Sequence, residues 1–138
     1  MTASLEELQA AVNINIASMH AAFHGALPAW LSAGKGNFLL TGGGLSANGA
    51  YSVGLGLQFG SPTKSYFKNF AQAYNATYGK DGVHVCCITV SGLVYGGDII
   101  TGGDKDSKAQ TAFRKRLSEA FVAQATNKDV FVDEIVVS

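Results

Sequence analysis

The stretch VHVCCITVSG, Val83 to Gly92, limits the fold more than any other part of this chain. Its apolar run is almost continuous, rich in β-branched residues, and lacks the in–out alternation of a half-exposed strand. Such a run suits a parallel strand covered on both faces. A parallel strand requires parallel neighbours reached through crossovers, so helices must flank it in the chain. The flanking sequence supplies them. Ser4-Leu-Glu-Glu7 has the form of a capping box. Leu5, Leu8, Val12, Ile16, Met19 and Phe23 follow at helical spacing, predicting a helix from about Leu5 to Ser32, with Pro28 as a kink site and Gly34 as its stop. NFLLTG (Asn37–Gly42) reads as a short buried strand. Ser61 as N-cap, Pro62 at the first helical position and Gly79 just past the end frame a second helix, with Phe67, Phe70, Ala71 and Tyr74 as its apolar stripe. After a polar, glycine-rich stretch (Gly96–Asp106), a third helix presents Ala109, Ala112, Phe113, Leu117, Ala120 and Phe121. VFVDEIVV (Val130–Val137) closes as a strand.

Helix and strand therefore alternate, which predicts an α/β fold: a parallel sheet of about three strands with helices on both faces. The length of 138 residues implies one domain. Formal charge is zero, so no basic footprint points to nucleic acid. No apolar run approaches the roughly 18 residues of a membrane span, and the acidic, polar start MTASLEELQAA is unlike a signal peptide. Cys86 and Cys87 are adjacent, so on a strand they face opposite ways. They read as buried free thiols in a reducing, cytoplasmic compartment.

Several residues invite a chemical reading. Gly42-Gly43-Gly44 follows a predicted strand, but the dinucleotide fingerprint needs G-x-G-x-x-G leading straight into a helix, and no G-x-G-x-x-G or phosphate-loop pattern occurs. The loop Gly43–Gly60 instead lies at the carboxyl end of a strand, where open α/β sheets bind ligands. Lys64 falls in the first turn of the second helix, where the dipole disfavours a cation. It is either a solvated surface lysine or one directed into the cleft above the strand ends. Asn15 interrupts a helix at NINIA, as a polar-face residue or as an amide with work to do. His20 and His24 lie one turn apart without a third metal ligand nearby, so no metal is expected. His84 reads as structural, and there is no G-x-S-x-G elbow.

In order, these pieces resemble the C-terminal half of a divergent short-chain dehydrogenase/reductase. VNINIASMHAAFHGALPAWLSAGKGNFLLTGGG resembles that family's asparagine-bearing helix and central strand. TKSYFKNFAQAYNATYGKDGVHVCCITVSGLV resembles its active-site helix and next strand, and VFVDEIVVS its final strand. The resemblance implies a truncated doubly wound, Rossmann-like sheet. Residues 1–138 then form a single partial domain without counterparts of the family's N-terminal dinucleotide-binding half. It implies oxidoreductase chemistry with NAD or NADP on a small carbonyl or alcohol. It also implies a homo-oligomer, formed through Phe23, Trp30, Phe67 and Phe70 on the first two helices, and leaves the edge of Asn37–Gly42 open.

Carried over by position, the resemblance assigns Lys64 and Asn15 to the catalytic set. The family's tyrosine donates or accepts the proton at the carbonyl, and its lysine lowers that phenol's pKa and grips the cofactor ribose. Its serine hydrogen-bonds the developing alkoxide. The tyrosine position here is Gly60, just before the expected N-cap, and the serine position falls beside Gly43-Gly44-Leu45-Ser46. Tyr51, in the loop, is the substitute phenol. Thr41, Gly42, Lys64, Ser91, Gly92, Leu93 and Val94 are the expected cofactor contacts. With tyrosine and serine unmatched, the chain reads as a catalytically impaired relative, a pseudoenzyme. The alternative is a non-catalytic oligomerising or interaction module.

Overall fold

The computed structural model describes residues 4–47, 59–94, 103–104, 106–127 and 131–138. Helix α1 (Leu5–Val12) opens with the expected capping box: the Ser4 hydroxyl accepts from the Glu7 amide and the Glu7 carboxylate from the Ser4 amide. The helix does not run unbroken. At Asn13–Ala17 it widens into one π-turn, then resumes as α2 (Ser18–Ala33). The Ser18 hydroxyl donates to the Ile14 carbonyl within this turn. Gly34 ends α2 with φ of 64°, as its position predicts.

Strand β1 (Gly36–Gly43) leads into a 3₁₀ turn (Gly44–Ala47). The second helix departs from its predicted punctuation. A short helix α3 (Gly60–Lys64) begins one residue before Ser61, because the Thr63 amide bonds the Phe59 carbonyl and closes the first turn there. Phe59, not Ser61, is the N-cap, and Lys64 is the last residue of α3. At Ser65 the chain tightens, its amide and hydroxyl both reaching the Pro62 carbonyl, before α4 (Tyr66–Tyr78). Gly79 keeps right-handed geometry (φ −59°) in a further 3₁₀ turn, and the left-handed residue is Gly82, φ 79°. A Cβ at Gly82 would stand 2.1 Å from the Gly34 carbonyl oxygen, so this turn into the next strand requires glycine.

Strand β2 (Val83–Val90) is the centre of a parallel sheet ordered β1-β2-β3, with β3 (Glu134–Val137) shorter than predicted at its start; Val130 lies outside the described residues. Seven consecutive residues of β2 are buried, which is the double coverage its sequence demands. One face packs Val83, Val85 and Cys87 against Met19, Phe23 and Leu27 of α2 and Phe67, Phe70 and Ala71 of α4. The other packs Cys86 and Ile88 against α5 (Lys108–Thr126) through Phe113, Leu117, Ala120 and Phe121. Ala109 and Ala112 are exposed instead. The first turn of α5 meets the strand ends through Gln110, whose amide donates to the Leu93 carbonyl. The result is the expected α/β, Rossmann-like arrangement of a parallel sheet between helices.

Phe23, Phe67 and Phe70, expected as contact surface between copies, are buried against the sheet, and Trp30 packs on the same core. The outer side of α2 and α4 carries other groups. His20 Nε2 meets the Tyr66 hydroxyl at 3.1 Å, and His24 Nε2 meets that of Tyr74 at 3.0 Å. Among the described residues no helix is long and apolar enough to cross a membrane.

Candidate active site

The carboxyl ends of β1 and β2 are where an open parallel sheet receives a ligand. Lys64 is directed there. It is half-buried, and its Cδ lies 4.0 Å from the point a Cβ on Gly43 would occupy. Its side chain thus passes beside Gly43 at the end of β1. Asn15 comes to the same place from the π-turn: its Nδ2 donates to Thr63 Oγ1 at 2.8 Å. The Thr63 hydroxyl has the carbonyls of Phe59 and Gly60, each at 3.0 Å, to donate to. An asparagine and a lysine far apart in the chain are therefore joined through the residue preceding the lysine.

The expected cofactor contacts divide. Thr41, Ser91, Gly92 and Leu93 are exposed and Val94 is half-buried. The Ser91 amide is committed to the Val137 carbonyl at 2.8 Å. Gly44 abuts Ser91 so closely that a Cβ would stand 3.0 Å from its Cα. Gly42 is buried; a Cβ there would meet Cys87 Sγ at 2.7 Å and Thr89 Oγ1 at 2.8 Å. Ser46 is half-buried in the 3₁₀ turn. Tyr51, with residues 48–58 of the glycine-rich loop, lies outside the described residues. Gly60, expected at the tyrosine position, is the first residue of α3 rather than a residue ahead of the N-cap, and no atom of a described residue lies within 4 Å of where its Cβ would stand.

Beneath Gly42 lies a polar chain that the sequence did not signal. Cys87 Sγ is 3.6 Å from Thr89 Oγ1; Thr89 donates to Glu134 Oε1 at 2.8 Å, and Glu134 Oε2 pairs with Lys68 Nζ at 3.0 Å. Burial would raise the Glu134 carboxyl, but hydrogen bonds from Lys68 and Thr89 and the Lys68 charge hold it below the usual range. Burial pushes the Cys87 thiol up. The Thr89 hydroxyl, the Gly42 amide and the Lys64 charge oppose this, while the Glu134 charge adds to it. Cys86 is pushed up to about 11, chiefly by burial. Both thiols are free and buried on opposite faces, and neither is poised as a nucleophile. Thr63, Thr89, Glu134 and Lys68 were not singled out from sequence. Only the adjacency of Thr63 to Lys64 was visible there. The pairing of Thr89 with Glu134 depends on strand register. Among the described residues, no three His, Cys, Asp or Glu gather as a metal site.

The described residues form a parallel α/β, Rossmann-like fold. Among solved structures, the chain is similar to the bulky-bulky ketone specific alcohol dehydrogenase from Comamonas testosteroni, with a TM-score of 0.64 at 12% identity. The match covers 98% of this chain and 48% of that one, so the chain spans about half the length of that enzyme. No protein-family model matches the sequence, and no curated protein matches it significantly.

Proposed function

We propose that this chain derives from a nicotinamide-dependent oxidoreductase of the short-chain type. Its cleft would receive the nicotinamide–ribose end of NAD or NADP, beside a small carbonyl or alcohol. The observation that carries the reading is Lys64, drawn over the carboxyl end of β1 and joined through Thr63 to Asn15. An ammonium there is a donor to ribose hydroxyls. The bound nicotinamide would supply or accept the hydride; this chain's residues would hold the ribose and the carbonyl oxygen. Ser91 and Leu93, exposed after β2, flank the same edge.

The proton step is where the chain falls short. Gly60 stands at the position from which the family's phenol serves the carbonyl, and among the described residues Tyr66 and Tyr74 are engaged with His20 and His24. We therefore assign a cofactor-end binding role with impaired catalysis. A second reading, a non-catalytic oligomerising module, draws on the outer edge of β1, which pairs with no described residue.

Saturation-transfer NMR with NADH and NADPH tests the assignment. Weak contact confined to the nicotinamide–ribose protons, and lost in Lys64→Ala, is the expected result. Equal contact along the whole dinucleotide with tight saturation would overturn the impairment. No contact with either nucleotide would overturn the cofactor reading.

A further inference from the structure

We propose that Thr63 is the positioning residue of the site: its hydroxyl, held by Asn15, fixes the turn that aims Lys64 over β1. The inference rests on the functional reading for its purpose, though not for its geometry. Helix α3 is a single turn, separated from α4 by the tightening at Ser65. Ser65 keeps right-handed helical geometry (φ −62°, ψ −22°), so α3 leans on α4 at one end, and the Asn15 contact is a separate side-chain tie to a neighbouring helix. Asn15 Nδ2 reaches Thr63 Oγ1 from the π-turn at 2.8 Å, across a sequence separation of 48 residues. The hydroxyl accepts that bond and passes its own proton back to the Phe59 or Gly60 carbonyl, at the start of the same turn. One oxygen thus ties the beginning of α3, its end and the neighbouring helix together. Lys64 is the next residue.

This gives Asn15 a positioning role in the site. An Nδ2 proton is spent on Thr63, and the asparagine acts on the site through the threonine. The π-turn belongs to the same device. Inserting a residue into the helix offsets its phase, and such turns commonly mark sites where a helix must present one residue out of register. Here the offset residue is the one that reaches Thr63.

Three single substitutions in the full chain test the proposal, with lysine labelled at its side-chain carbons and the Lys64 signal assigned through Lys64→Arg. Thr63→Val keeps the shape and removes the acceptor. Asn15→Ala removes the donor. Thr63→Ser restores the hydroxyl. In Thr63→Val and Asn15→Ala the Lys64 Cε–Hε signal is expected to move towards that of a free lysine, with near-ultraviolet circular dichroism unchanged. Thr63→Ser should keep the native signal. Nucleotide contact should weaken about tenfold in the first two variants and not in the third, the loss expected for one hydrogen bond. An unmoved Lys64 signal in Thr63→Val overturns the proposal. If the signal moves while even the native chain shows no nucleotide contact, the positioning stands and the functional reading fails. Should a variant lose its tertiary dichroism, Thr63→Ser against Thr63→Ala in the native temperature range decides by the same signal.

Discussion

One imidazole, His84, shows how much a single side chain can decide. Asn37 Nδ2 donates to the Ala125 carbonyl at 2.8 Å, which turns its Oδ1 toward His84 Nδ1 at 3.3 Å. With Nδ1 carrying the proton, Nε2 accepts from the Val132 amide at 3.3 Å, and the Val132 carbonyl lies at the same 3.3 Å. The ring lies flat on Phe131, centroids 4.9 Å apart. Protonation would turn Nε2 from acceptor to donor, exchanging the Val132 amide for its carbonyl. Burial lowers the His84 pKa, and neither the Val132 carbonyl nor the nearby Asp133 charge restores it. The sign follows: the unfolded chain takes up the proton first as pH falls. This contribution to stability is complete above the ordinary histidine pKa of about 6.5 and is lost as pH drops toward the lower folded value. Thermal melts at about pH 7.5 and about pH 5.5 should therefore show a fall in Tm that His84→Gln reduces, since glutamine does not titrate. An equal fall in both proteins would remove His84 as the cause. Glu134 adds a second loss at lower pH, because its folded pKa is also depressed.

Among elements, β2 carries the most weight, and α4 completes it. In a parallel strand alternate residues turn both backbone groups to the same side. Cys87 bonds β3's lead-in through its amide, and Ser91 bonds β3 at Val137. Val85 faces that side too, ahead of where β3 begins. Asn75 of α4 fills the gap: its Oδ1 accepts from the Val85 amide at 2.7 Å, and its Nδ2 donates to the Val85 carbonyl and to Asp133 Oδ1, each at 2.8 Å. Asn75→Ala should leave two buried backbone groups unpaired and cost about 2–4 kcal/mol in urea unfolding; a loss under about 0.5 kcal/mol would mean the strand closes without it. No sequence rule announces such a residue. What the sequence did disclose was what local chemistry controls: the capping box at Ser4, the stop at Gly34, the doubly buried run of β2. Gly79 misled because glycine permits a left-handed turn without requiring one, and the requirement lay at Gly82, where the Gly34 carbonyl approaches. Ser61 misled because Thr63 and Phe59 close the helix start one residue earlier. At the site, Lys64 and Asn15 were visible as residues out of place in a helix. Their link through Thr63 was not, because it depends on a π-turn whose phase no periodicity reveals.

For the whole molecule the open question is what covers the sheet. β1 is an edge strand whose outer side pairs with no described residue. Its sequence, GNFLLTGG, has none of the usual protections of such an edge, neither a charged side chain nor a proline. Phe38 and Leu39 remain only half-buried there. The face of α2 and α4 contributes polar rings, His20, His24 and Tyr66, in place of the phenylalanines that turn inward. Backbone groups along an uncharged edge gain hydrogen bonds by pairing with any strand of matching length, a second copy included. The isolated chain is therefore expected to self-associate at micromolar concentration. Thr41, exposed on that strand, offers the handle: Thr41→Lys places a charge on the edge, and a second copy would have to bury or avoid it. Sedimentation velocity over a concentration series should show a mass above the monomer for the native chain and a shift back toward monomer in Thr41→Lys. If association persists undiminished in Thr41→Lys but falls in Tyr66→Lys, the contact lies on the helical face rather than the sheet edge. A native chain that sediments as a monomer throughout would mean that β1's edge is masked by the chain's own residues.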